Sequence, residues 1–230
     1  MTKDLMMLHS DHVNGGVPLD LHVRTTIQEN SFFSYIESAA LKVGQTVFQL
    51  DTDKFFVNNE EYNDEHLPME MDEFTIEAMK MDGAAKIYSV VLTDTSTVKF
   101  KVIKNFLSVA VSGHEDDFAK SVGLLGDYYT GDALGRDGRL MDNFIEYGME
   151  WQVAEDEPKL FREDRFPQLP EARCIMPSNE AATGRRRLLR NKENHEFTAS
   201  AERVCNTKED YESCMEDVLA TGDLDLAEAW

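Results

Sequence analysis

Asp127, Asp132 and Asp137 are interleaved with Gly126, Gly131 and Gly138 in one short stretch. A hard cation such as Ca²⁺ takes roughly six to eight oxygens, from carboxylates and carbonyls on a chain that curls tightly. Glycine permits that curl because it has no Cβ. The three aspartates are therefore candidate metal ligands, and calcium is the cofactor that this chemistry suits. The EF-hand spacing is not met. The same residues also make ordinary turns, since Asp bonds its own backbone and Gly accepts left-handed geometry. Both readings stand on the residues alone.

Other chemistry is sparse. His9, His12, His22, His66, His114 and His195 are scattered along the chain. Ser10-Asp11-His12 holds triad residue types, but adjacent residues cannot form a relay, which needs groups converging in space. No Gly-x-Ser-x-Gly, phosphate loop or His-Glu-x-x-His is present. Arg187-Leu188-Leu189-Arg190 fits the minimal Arg-x-x-Arg pattern of secretory processing proteases, inside the chain's basic run 185–192. The plainer reading of that run is a solvated linker. Three cysteines, Cys174, Cys205 and Cys214, are too few for a disulfide scaffold.

The elements that must position these residues read as short strands separated by turns. Stretches 17–27, 34–43, 46–50, 54–57, 74–79, 85–92, 98–103 and 106–111 carry apolar alternation or short apolar runs. Strands at this spacing predict an antiparallel β-sandwich, and no helix-length periodic segment interrupts them. The acidic stretch 58–73 reads as a long solvated loop, with room for a helical turn. Pro158, Pro167, Pro170 and Pro177 suit an extended crossing over the domain surface within 154–177. Stretch 178–194 reads as a linker. Two short helices are expected at 199–205 and 209–220, with Gly222 as a stop and Asp223 opening a last turn.

The formal net charge of −21 over 230 residues repels phosphate backbones and excludes nucleic acid as a natural partner. It serves solubility or attracts divalent cations. No apolar run approaches the roughly 20 residues that cross a bilayer as a helix. No signal peptide is visible at residues 1–8.

Two motifs carry a resemblance. Gly123-Leu124-Leu125-Gly126-Asp127-Tyr128 is followed by Asp137-Gly138 and then by Phe144-Ile145-Glu146-Tyr147-Gly148-Met149-Glu150-Trp151. Together they resemble the second half of a von Willebrand factor type D domain, with its Gly-Leu-Cys-Gly-Asn-Tyr turn, Asp-Gly turn and Phe-Gly-x-x-Trp strand. The resemblance covers about two thirds of the chain and adds a tail around Cys205 and Cys214. It implies calcium held by the polar residues of the first loop, with Asp127 at the family's Asn. It implies a Phe144–Trp151 strand packed in the core, with Gly148 at a bulge. It also implies a disulfide between Cys205 and Cys214, which two helices could bring within reach. Leu125 replaces a cysteine, and Tyr129 replaces a frequent second Asn. The likeness is thus to low-cysteine members found outside animals. A family cysteine that pairs after the Trp strand would fall near Lys3, and an Asp-Pro-His hairpin is missing. An N-terminally truncated domain with Cys174 as a free thiol is the expectation.

The combined expectation is a type D-like β domain over 1–155, a Pro-containing and basic linker over 156–197, and a helical tail with a Cys pair over 198–230. The function implied is non-catalytic: an extracellular or cell-surface module for adhesion, matrix assembly or protein contact. Its partners would be other extracellular proteins or copies of itself. A cytosolic acidic binding protein is one alternative. A β-sandwich hydrolase is another, and it would need a cleft holding two carboxylates, or a carboxylate and a His, one with a displaced pKa.

Overall fold

The computed structural model describes residues 3–26, 34–77, 80–82, 85–164 and 194–230. Strands β1 (Lys3–Val13), β2 (Val17–Thr26), β3 (Tyr35–Val43), β4 (Thr46–Asp51), β5 (Phe55–Val57) and β6 (Glu60–Tyr62) pair antiparallel in chain order to form the first sheet. The second sheet comprises β7 (Met69–Glu70), β8 (Thr75–Ile76), β9 (Lys80–Asp82), β10 (Ala85–Val91), β11 (Thr97–Ile103) and β12 (Phe106–Ser112). Its order is β12-β11-β10-β8-β7, with β9 continuing along the β8 edge of β10. The chain is mainly β and sandwich-like, with a small C-terminal helical part, as the strand spacing predicts.

Alternation sets the core. Leu19, Leu21 and Val23 of β2 point inward beside Ala39, Leu41 and Val43 of β3. Val90, Val98 and Phe100 answer them from the second sheet. The Phe48 and Phe100 rings bridge the sheets with centroids 5.4 Å apart. Each of these Leu, Val and Phe side chains, fully buried, contributes roughly 1.5–3 kcal/mol relative to exposure.

The other face of the first sheet is also covered. Asp4 and Met6 of β1, His22 and Arg24 of β2, Ala40 of β3 and Phe56 of β5 are all buried. A segment over 151–164 straps across them. Trp151 packs on Met6. Leu160 and Phe161 pack on Ala40. The Arg162 amide donates to Gln49 Oε1 of β4 at 2.9 Å, and its guanidinium lies 4.5 Å from the Phe56 ring centroid. The expected surface crossing is therefore present over its described part; residues 165–177 lie outside the described residues.

Two local expectations are corrected. The stretch around Phe144 is not a strand but a helix, α1 (Phe144–Glu150). Asn143 caps it, accepting from the Ile145 and Glu146 amides at 3.1 and 3.2 Å, which satisfies two of the donors a helix start leaves open. The acidic stretch 58–73 is not one loop: it holds β6, a 3₁₀ turn at Asp64–His66 and β7. Asn63 caps that turn, and Tyr88 Oη anchors it by donating to Asp64 Oδ1 at 2.8 Å.

The tail forms α2 (His195–Cys205), α3 (Tyr211–Thr221) and a 3₁₀ turn at Leu224–Ala229. Gly222 ends α3 in left-handed geometry, and Asp223 caps the last turn through Asp225 N. The tail sits on the second sheet. Phe106 packs into its core, and Lys104 Nζ meets Asp223 and Asp225 at 2.5 and 2.9 Å.

Candidate functional site

The two motif segments converge on one edge of β1. The Val122 amide bonds to His9 O, Leu124 to Met6 O and Leu125 to Met7 O at 2.9–3.1 Å. Further along, the Met6 amide donates to Trp151 O at 2.8 Å and Val153 to Asp4 O at 3.0 Å. Gly123 makes the approach possible. Its φ is +125°, and a Cβ there would lie 2.5 Å from Met7 O. Only glycine tolerates both conditions.

Buried aromatics lock the segments together. Tyr147 Oη donates to Gly123 O at 2.5 Å. Trp151 Nε1 donates to Leu134 O at 3.1 Å. Tyr147, Trp151 and Met6 form one cluster with Leu124 and Met141. Phe144 does not share this role: it is 87 % exposed. Gly148 makes no close approach, since a Cβ there would meet nothing within 4 Å. Arg136 completes the unit, with its guanidinium 4.8 Å from the Trp151 ring. It donates to Glu150 O and Gln152 O at 2.9 and 3.1 Å and pairs with Glu157.

The candidate metal ligands lie in the loops next to this unit. Asp127 Oδ1 accepts from the Tyr129 and Thr130 amides at 3.1 and 2.8 Å. The Asp127 amide donates to Asp132 O at 3.0 Å, closing the loop on itself. Gly126 is needed there, because a Cβ would sit 2.7 Å from Asp132 O. Asp137 lies in the following turn. The Arg139 amide and guanidinium donate to it at 3.0 and 2.5 Å and hold its carboxyl below the ordinary range. Among the described residues, no group of three His, Cys, Asp or Glu side chains is placed to hold a metal ion. The three aspartates share a region and do not converge as a ligand set.

Beside α1 lies a depression of about 230 Å³. Asp137, Arg139, Leu140, Asp142, Glu146 and Glu150 are among the residues that line it.

Cys205 and Cys214 are joined by a disulfide, Cα–Cα 5.7 Å. Both are buried against Ala201, Val218, Leu219, Leu226 and Ala227. Cys174, Arg187 and Arg190 lie outside the described residues.

Sequence reasoning missed the polar cluster beneath the strap. Arg24 grips Asp4 through Nε and Nη2 at 2.7 and 2.8 Å, and its guanidinium lies 4.1 Å from the Phe161 ring centroid. His22 is 1 % exposed, and neither ring nitrogen finds a hydrogen-bond partner among the described residues. Burial lowers its pKa. His9, at the margin, bonds Asp20 at 2.7 Å, and that bond raises its pKa. Asp20, His22 and Arg24 alternate along β2 as a solvent face would, so period alone pointed the wrong way. The signal that was available is the apolar pair Leu160-Phe161 in an otherwise polar stretch.

Scanned against protein-family models the chain matches none, and a search of curated proteins finds no match.

Proposed function

We propose that the chain is a non-catalytic extracellular structural module of the type D kind, in which calcium steadies the 126–138 loops. It serves adhesion, matrix assembly or contact with other extracellular proteins. The observation carrying this reading is the meeting of the two motif segments on β1, through the Tyr147 to Gly123 hydrogen bond. Segments with no structural relation would have no reason to share one buried cluster. The Cys205–Cys214 bridge supports an oxidising compartment. Asp137, in the cleft beside α1, is pushed toward the ionised form. With Asp142, Glu146 and Glu150 lining the same depression, this meets the condition set for the hydrolase alternative, so the non-catalytic reading rests on the meeting of the motif segments and not on this carboxyl.

A thermal melt in excess Ca²⁺ and in chelator tests the reading. A cation bound only by the folded state, at about 100 times its dissociation constant, adds roughly 2.7 kcal/mol. For a chain of this size that raises Tm by roughly 5–10 °C. Asp127→Ala removes the side-chain oxygen altogether, including the one that the Tyr129 and Thr130 amides use. Compared with its own melt in chelator, it is expected to lose the calcium rise. An unchanged wild-type melt overturns the calcium part of the reading.

A further inference from the structure

We propose that the outer face of α1 and the acidic depression beside it form a docking surface for a cationic amphipathic segment of a partner protein. The proposal deepens the reading of the chain as an interaction module, and rests on it, by naming the face and the chemistry of what it holds.

α1 is anchored on one side only. Tyr147 and Trp151, four residues apart, point into the Met6 cluster. At about 100° per residue, Ile145 and Met149 then face away from it. Ile145 is 66 % exposed, Phe144 87 % and the neighbouring Leu140 68 %. Single exposed apolar side chains are ordinary, but Ile145 and the partly exposed Met149, one turn apart on the outward face, with Leu140 at the rim of the depression, offer apolar surface of the kind that marks an interaction site.

Charge selects the occupant. Glu146 and Glu150, one turn apart, line the depression with Asp142. Asp142 and Glu146 form no ion pair among the described residues. The cations nearby are already used: Arg136 on Glu157 and Arg139 on Asp137. A second copy of this chain would bring a net charge of −21 against the same sign, and like charges across an interface are costly. A partner segment with apolar side chains on one face and Lys or Arg on the other satisfies both halves of the surface, in the helix-in-groove manner.

The test uses the intact chain and a fluorescent synthetic peptide, an amphipathic helix with Leu on one face and Lys and Arg on the other. Binding is read by anisotropy, beside a control peptide of equal charge with Leu replaced by Ser. The Leu peptide is expected to bind, and the Ser peptide to bind at least roughly fivefold more weakly. Ile145→Ser and Leu140→Ser, at exposed positions, should each weaken binding roughly fivefold with an unchanged melt. Asp142→Lys with Glu146→Lys should weaken it roughly tenfold or more. Asp53→Lys with Asp94→Lys, an equal charge change elsewhere, should stay within about twofold. Equal losses in the two double variants would mean unspecific attraction to an acidic protein and overturn the proposal. So would indifference to the serine changes or to the peptide's leucines. Calcium melts on the same samples separate the two readings: a calcium rise without peptide binding removes the docking face and leaves the module.

Discussion

Replacing Asp4 with leucine would leave the Arg24 guanidinium, 4 % exposed, without the carboxylate it grips at 2.7 and 2.8 Å. An uncompensated buried charge costs about 3–5 kcal/mol, a large part of the roughly 5–15 kcal/mol that holds a typical domain. Removing both charges together, as Asp4→Leu with Arg24→Met, leaves nothing to desolvate. That double variant should therefore lie close to the wild type. The two single costs would then exceed the double cost by roughly 3 kcal/mol or more. The strap makes a further demand, because Phe161 lies on the guanidinium at 4.1 Å. In a Phe161→Ala background water reaches the pair, and its coupling should fall to the surface value of about 0–1 kcal/mol. Urea unfolding followed by tryptophan fluorescence gives each free energy from the midpoint and slope. Single costs that add within about 0.5 kcal/mol in the wild-type background would show that the pair is hydrated already. A coupling unchanged by Phe161→Ala would show that the strap does not seal it.

Two further outcomes follow from the geometry. Cys205→Ser with Cys214→Ser opens a loop closed over a separation of 9 residues, worth about 2.5 kcal/mol in the chain-entropy account; hydrogen exchange should speed up in α2 and α3 and leave β1–β6 as they were. Stability should also depend on pH through two histidines of opposite sign. Burial lowers the His22 pKa, so below about pH 6.5 the unfolded chain takes a proton that the native one refuses, and stability falls as pH falls. The bond to Asp20 raises the His9 pKa, so its contribution is full below about pH 6.5 and is lost as pH rises through the folded value. Urea titrations from pH 5 to 8 should show His22→Met flattening the acid side and His9→Asn flattening the alkaline side. An acid slope that survives His22→Met would refute this assignment.

The strands were legible where alternation was unbroken. β2, β3, β4, β10, β11 and β12 lie within a residue or two of the stretches that predict them. β1 is harder, because a register shift between Met6 and Leu8 puts both on apolar sites of opposite faces and erases the period of two. α1 was hidden by its aromatics, which suit a strand. Its own signal was the Asn143 cap with Glu146 three residues on, and Tyr147 and Trp151 one turn apart. The tail helices were plain because caps and Gly222 mark their ends. At the candidate site, the glycines foretold tight loops. Whether Asp127 would turn its oxygen to a cation or to its own backbone was not encoded in spacing, because both uses need the same residue.

The edges of the first sheet bear on how the molecule behaves at high concentration. An open strand edge invites another chain to add to it and so seeds fibres. Here β1 spends its outer edge on the segments around Val122 and Trp151, while β6 at the opposite end presents exposed Glu60 and Glu61. One margin is closed by covalently attached chain and the other guarded by negative charge, so lateral growth of this sheet is blocked on both sides. With both margins closed to strand addition, the sheet stays a discrete unit at high concentration.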